Sequence, residues 1–600
     1  ILLRSRFKKY IWSSDISKLY NQLKLNDTSL PYSLFLYDQS LDPATPPSAW
    51  VMTSAWYGTG SSGGQAEWAL EMLANNHAAE FPDAVEPLTR DRYVDDLSPG
   101  ANDKETRERQ ISQTTQVLQQ GGLSLKYIVR SGEPPPPEAS TDGKSLKLLG
   151  HKWHPQLDTY SPGFTELNFN KKVRGVKKPN TSKIETHQEA ADLMENIQLT
   201  RTSVVAKVAE LFDPMGLWEP LKLQLKLELS NLNGMDWKAP LEDSLQAQWK
   251  DKLLQFTQLD HMSVPRCVIP LGLTTTTKVR LLCISDAAVH AGGAAIYACF
   301  PTADNQYTCS LLCSKSRLLD GTVPRNELSA VMLMTELAYF VKKSIGDSIQ
   351  DIIYVTDSTI ALCWVSNTSK RLKQYVLNRV MLIRQMIEWT TGIKDDLPLY
   401  HIDGTLNPAD LLTKPHDIKP SDLGESSMWQ SGMNWMRLPF PEMPLKSYSD
   451  IQVDAKAMQE VDKECFQEPH LSSSFFSDFD LIASTSPQPA PAPFEGGRGV
   501  DHLSVNIIFH GWQKGTNILA KVHQFCQNII HTTHQPSSKS KEETKSALKR
   551  ICKRCSSETD TLDKLYLHLA EYTLIREDTK VTIQAIKPVK LKQFHHSDGI

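Results

Sequence analysis

Tyr93-Val94-Asp95-Asp96-Leu97 sets two adjacent carboxylates between β-forming residues. Neighbouring ionised carboxylates repel, and divalent cations relieve that repulsion; hard ions such as Mg²⁺ take carboxylate oxygens together with substrate phosphates. A pair of them steadies the attacking and leaving oxygens of an in-line phosphoryl displacement. A solvated acidic hairpin tip is the plain alternative for an isolated Asp-Asp. The residues upstream favour the chemistry. Asp15 follows the run Tyr10-Ile11-Trp12 and sits where a strand should end. Between it and the acidic pair, Tyr57-Gly58-Thr59-Gly60-Ser61-Ser62-Gly63-Gly64-Gln65 leads into a helical pattern at Trp68, Leu70 and Leu73. Glycines let a backbone approach a ligand closely, and a helix N-terminus favours phosphate.

A second set of acids begins further along. Val279–Asp286 is a short apolar run ending in Asp, and Ala291–Phe300 and Tyr307–Ser314 read as two more strands. Glu327 opens a helical pattern continued by Leu328, Val331, Met334, Leu337 and Val341. Asp351–Asp357 is another strand ending in Asp, followed by the helix-like 358–365, a longer helix over 375–389, a strand at 399–402 and Asn407-Pro408-Ala409-Asp410 at a final helix start. The predicted order is β-β-β-α-β-α-α-β-α. Any one of these acids alone would be a solvated carboxylate; the register of all four is what speaks for a site.

The first constellation resembles a reverse transcriptase palm, and the second resembles an RNase H fold. In the palm resemblance Asp15, Asp95 and Asp96 are catalytic metal ligands, with Asp96 the more peripheral. Tyr20 matches the aromatic that screens the sugar 2′ position, with a core tyrosine as its alternative. Gly58, Ser62, Gly63, Gln65 and Lys126 fall on the nucleotide/template-binding motifs. Gly121–Lys126 and Leu148-Leu149-Gly150-His151-Lys152-Trp153 resemble later palm motifs, and the latter has the form found in BEL/Pao-type LTR retrotransposons. In the RNase H resemblance Asp286, Glu327, Asp357 and Asp410 are both catalytic and metal-binding, and Asn378-Arg379 and Asn407-Pro408-Ala409-Asp410 match the retroelement version. His401 could stand for the mobile histidine of that family, although a half-buried strand histidine fits its position better. The resemblance implies two Mg²⁺ ions per site, with Mn²⁺ a substitute. Its partners are an RNA template, a DNA primer, dNTPs, an RNA·DNA hybrid read through the 2′-hydroxyl and A-like groove, and the other Pol and Gag products of the element.

The totals bound this reading. Six hundred residues make several domains. A net charge of −4 confines any nucleic-acid surface to local basic patches, of which Lys171–Lys178 is one; a solvated face is its alternative. No apolar run is long enough to span a membrane, and there is no signal-peptide pattern. Ten cysteines, several in apolar segments, suit buried thiols in a reducing compartment. The lifestyle implied is cytoplasmic and particle-associated, with a product bound for the nucleus. The chain opens without Met and its first is Met52, which reads as a fragment lacking most of the fingers.

The expected architecture is multidomain, α+β and α/β: palm over 1–165, α-helical thumb and connection over 166–265, an RNase H-like domain with a mixed five-stranded sheet over 275–425, a flexible linker over 426–500, Pro-rich near its end, and a helical segment preceding an integrase over 501–600. Thr202 reads as the cap of a helix ending near Pro214 and Gly216, and Leu221–Leu232 as another helix. Pro134–Pro137 reads as a surface loop. His531, His534, Cys552 and Cys555 have zinc-ligand types, with coincidental polar residues as the favoured alternative. The functional expectation is templated deoxynucleotide addition at the first site and RNA-strand hydrolysis at the second. The alternatives are an inactive or domesticated nucleic-acid-binding remnant, and RNase H activity alone.

Overall fold

The computed structural model describes residues 1–37, 48–140, 142–162, 187–257, 262–273, 277–414 and 418–466. The basic run 171–178, residues 467–500 of the expected linker and the whole of 501–600, with His531, His534, Cys552 and Cys555, lie outside the described residues. The described part falls in one unit, Ile1–Pro469.

After a short helix α1 (Leu2–Arg6), strand β1 (Tyr10–Asp15) forms the middle of a five-stranded antiparallel sheet. Its partners are β5 (Asp96–Leu97), β6 (Gly100–Ala101) and β7 (Val129–Arg130), with β4 (Arg92–Tyr93) beyond β5. A hairpin of β2 (Leu34–Tyr37) and β3 (Ser48–Val51) intervenes. Strand alternation gives β1 two faces. Trp12, with Ile16 just beyond the strand, packs under helices α2 (Ser62–Asn76) and α3 (Lys104–Gln120) in a core with Leu70, Val117 and Leu118; Ile11 belongs to the larger core on the other side. Asp103 caps α3 by accepting the Thr106 N–H.

A four-stranded sheet of β8 (Leu146–Leu148), β9 (His151–His154), β10 (Thr159–Pro162) and β11 (Val264–Pro265) follows. Leu149 (φ 47°) and Gly150 (φ 103°) make the two-residue β8–β9 turn, as hairpins with both central residues left-handed require. The connector is helical: α4 (Arg201–Glu210), α5 (Glu219–Leu229) and α6 (Asp243–Thr257). The cap of α4 is Thr200 rather than Thr202: the Thr200 hydroxyl accepts the Ser203 N–H and Ser203 Oγ accepts that of Thr200, while Thr202 donates to the Trp237 carbonyl. Helix α5 closely matches the expected run and ends in a 3-10 turn at Ser230–Leu232.

The last sheet has the order β14-β13-β12-β15-β16. Its strands are β12 (Val279–Ala287), β13 (Ala291–Pro301), β14 (Tyr307–Leu318), β15 (Ile349–Thr356) and β16 (Leu399–His401). Three antiparallel strands thus continue into two parallel ones, as the crossover helices demand. Helices α7 (Val323–Ile345), α8 (Thr359–Ser366) and α9 (Gln374–Thr391) cover it. All nine residues of β12 are buried, which fits its apolar sequence and central place.

Two expectations fail here. The final helix is a five-residue 3-10 turn, Pro408–Leu412, opened by Asn407 accepting the Ala409 N–H. Residues 426–466, expected to be linker, fold against the rest. The Trp429 indole and the Gln430 amide both donate to the Leu217 carbonyl, and helix α10 (Ala455–Lys463) buries Val461. Tryptophan and amide donors find buried acceptors there, so the stretch is structured despite its irregular pattern. The expected domains also share one core: Leu3 and Trp153 join Leu217 and Trp249 and the β12–β14 residues in a single cluster. Two buried arginines fasten that junction. Arg6 donates to the carbonyls of Leu311 and Leu312 at 2.9 Å, and Arg266 donates to Lys8 and Lys9 while pairing with Asp158 at 2.5 Å.

Candidate active site

The parallel register of β12 and β15 makes Ser285 and Thr356 partners. The next residues, Asp286 and Asp357, therefore leave the same end of two adjacent central strands. Opposite Asp286 on β13 stands Gly293, and a side chain there would meet Leu412: a Cβ would lie 2.3 Å from that of Leu412. The glycine lets the 408–412 turn lie against the sheet and bring Asp410 to these strand ends. Glu327, in the first turns of α7, accepts a hydrogen bond from the Ser358 hydroxyl, next in sequence to Asp357.

The electrostatics report the same convergence. Burial, then the charge of Asp357, pushes Asp286 up to about 7 against a hydrogen bond from Thr413. Glu327 is likewise pushed up to about 7 by burial, with Asp357 and Asp286 adding to it and Ser358 opposing. Asp357 is raised by burial, with Asp410 contributing, while an Asn407 hydrogen bond and His401 hold it down. Lys414 pairs with Asp410, and its ammonium is held charged by that bond and by Asp286 and Asp357. His401 is half-buried at the end of β16; its Nε2 lies 3.1 Å from the Asp357 carbonyl, and burial lowers its pKa. That is the strand histidine expected, placed against the site. Arg379 stacks on Tyr375, 3.6 Å from the ring centroid, and Asn378 accepts from Gln374.

The first constellation also comes together in part. Asp15 ends β1 directly opposite Asp96 on β5, and the Ile16 N–H donates to the Asp95 carbonyl at 2.9 Å. Val94 takes φ 58° to turn the β4–β5 hairpin. Lys126 Nζ pairs with Asp15 at 2.7 Å. Burial, with Asp95 and Asp15 adding, pushes Asp96 up to about 6. The Gly/Ser loop runs into α2 as expected, with Gly58 at φ 91° and Gly63 and Gln65 exposed. Ser62 differs: it is buried and donates to the Trp56 carbonyl at 2.8 Å, so its hydroxyl shapes the loop from inside. Tyr20 packs edge-on against exposed Tyr57, with ring centroids 5.1 Å apart, at the margin of the smaller core.

Sequence reading missed Gly293, Ser358 and Thr413, and had Asn407 only as part of the motif Asn407-Pro408-Ala409-Asp410. Among the described residues no group of three or more His, Cys, Asp or Glu stands close enough to hold a metal ion. The donor set nonetheless fits a hard cation: oxygen donors only, those of Asp286 and Glu327 made costly to ionise by burial and then by neighbouring charge, with the Lys414 and Lys126 ammoniums paired to one acid of each set. Among the described residues no helix is long and apolar enough to cross a membrane.

Residues 200–358 match the family model of the Pao retrotransposon-like RNaseH-like domain. The match runs from the cap of α4 to Ser358, so it takes in Asp286, Glu327 and Asp357 and stops before Asp410. No curated protein matches the chain. The strand order, the acids and this match agree on an RNase H-like domain similar to that of Pao retrotransposons.

Proposed function

We propose that this chain cleaves the RNA strand of an RNA·DNA hybrid at Asp286, Glu327, Asp357 and Asp410, with Mg²⁺ held by their carboxylates. The observation that carries the reading is the pairing of Ser285 with Thr356, which sends Asp286 and Asp357 off neighbouring strand ends beside Glu327. Mg²⁺ held by these carboxylates would supply an activated water and charge stabilisation for the departing 3′ oxygen. The chain's own residues do the rest. Thr413 and Ser358 fix the carboxylates of Asp286 and Glu327 through their hydroxyls. Asn407 ties the Asp410 turn to β12 by donating to the Ser285 carbonyl at 3.0 Å. Burial makes the carboxylates of Asp286, Glu327 and Asp357 costly to ionise alone, so the site favours cations and the phosphates they bring. The test offers labelled RNA as a hybrid, as a single strand and within an RNA duplex, with and without Mg²⁺. Cleavage of the hybrid alone supports the reading; equal cleavage of all three, or none, opposes it.

A second reading is a polymerase palm at Asp15, Asp95 and Asp96, supported by the antiparallel pairing of Asp15 with Asp96. Asp15 and Asp95 are its essential ligands. Its assay is primer extension with deoxynucleotides on an RNA template.

A further inference from the structure

The flank of the RNase H-like domain beside Glu327 is basic, and the chain covers it with its own acids. Arg325 lies two residues before Glu327 on α7, with its guanidinium 4.7 Å from the Tyr375 ring centroid; Arg379 stacks on the same ring. Lys370, Arg371 and Lys373 follow between α8 and α9. Across them runs the strap 454–466. Its Glu464 pairs with Arg325 at 2.6 Å and its Asp462 with Lys370 at 2.6 Å. Lys373 Nζ donates to the Lys463 carbonyl, and Arg371 sits over the Phe466 ring at 5.0 Å.

The strap is held by two backbone hydrogen bonds, from the Lys373 N–H to the Glu464 carbonyl at 2.7 Å and from the Phe466 N–H to the Arg371 carbonyl at 2.9 Å, and by few buried side chains. Val461 and Cys465 are its buried side chains, and the Trp364 indole donates to the Val461 carbonyl at 3.2 Å. The Lys370–Asp462 pair is about half exposed on both sides and so contributes little. Glu464 Oε2 is buried with no partner among the described residues, an arrangement that costs free energy rather than adding it. Asp462 and Glu464, at the C-terminal end of helix α10 beside a phosphodiester-cleaving site, hold anionic oxygens where Arg and Lys would otherwise meet a nucleic-acid backbone.

We propose that the Arg325–Lys370–Lys373 ledge is a contact surface for a nucleic-acid phosphate backbone, and that residues 454–466 compete for it, so that strap docking and hybrid binding exclude one another. This rests on the hybrid-cleavage reading above. Local opening of this terminal segment, which breaks its two backbone hydrogen bonds to 371–373, releases it without unfolding the rest of the core.

The test uses the full chain. Hydrogen exchange is followed by mass spectrometry on Asp357→Asn, for which cleavage is expected to be lost, with and without a saturating RNA·DNA hybrid. The proposal expects peptides spanning 455–466 to lose protection when the hybrid binds, while β12 and β13 stay protected. Unchanged or increased protection there overturns it. A second arm measures hybrid affinity for the double variant Glu464→Gln, Asp462→Asn. Tightening by about 3–10-fold, the scale of releasing two weak ion pairs, with a steeper salt dependence, supports competition; unchanged or weaker affinity makes the strap a brace and overturns it. Wild-type chain that cleaves hybrid with an unmoved strap sinks only the strap. Chain that neither binds nor cleaves hybrid sinks the nuclease reading itself.

Discussion

Asp286 and Asp357 follow two residues that face each other in parallel register, Ser285 and Thr356, so a single backbone pairing sets both carboxylates at one end of the sheet. Burial, with the charge of Asp357 adding to it, then makes Asp286 costly to ionise. That cost gives the domain a pH signature.

Without divalent cations, Asp286 and Glu327 are expected to make the fold less stable as pH rises. Their folded pKa values, about 7, lie above those of free carboxyl groups, so the stability they contribute is full below about pH 4 and is lost as pH climbs through 7. Thermal unfolding in chelator at pH 5 and pH 8 checks this. The melting temperature should be lower at pH 8, and Asp286→Asn should flatten the difference. A wild-type chain equally stable at both pH values would contradict it.

Gly293→Ala should damage cleavage more than stability. A methyl there runs into Leu412 and shifts the turn that carries Asp410. Overpacking costs about 1–3 kcal/mol, whereas a displaced catalytic group costs up to about 10²-fold in rate. Calorimetry together with hybrid-cleavage rates separates the two effects.

Arg266→Met removes a fully buried guanidinium and leaves Asp158 and the carbonyls of Lys8 and Lys9 without their donor. Breaking such a pair costs about 3–5 kcal/mol. Denaturant unfolding should show that loss, and limited proteolysis should open the chain near residues 1–15. Because Arg266 lies away from the acids, residual folded protein should keep its cleavage activity.

Primer extension should be weak, and Asp15→Asn or Asp95→Asn should remove it. Asp96→Asn should leave more activity than either. Equal extension by wild type and Asp15→Asn would end the palm reading.

Strand and helix identities in the RNase H-like domain were legible because β12, β13 and β15 are short, mostly apolar runs and α7 has a clear helical period. The acids could be named because each sits at an element end. The 3-10 turn at Asp410 was not legible: Pro408 and the Asn407 cap suit an α-helix start equally well, and packing of Leu412 against Gly293 decides the outcome. The folding of 426–466 was hidden for a related reason, since Trp429 and Trp435 find their acceptors at Leu217 and Leu406, far away in sequence. Thr413 and Ser358 matter through hydroxyl contacts that no spacing rule announces.

The most direct measurement compares Mg²⁺-dependent cleavage of an RNA·DNA hybrid by the wild-type chain with that by Asp286→Asn, Glu327→Gln, Asp357→Asn and Asp410→Asn, each shown to be folded. Cleavage by the wild type and its loss in the first three, with at least a strong reduction in the fourth, is the predicted result. Wild-type chain that leaves the hybrid whole, or an Asp286→Asn variant that cuts as well as the wild type, would contradict the account.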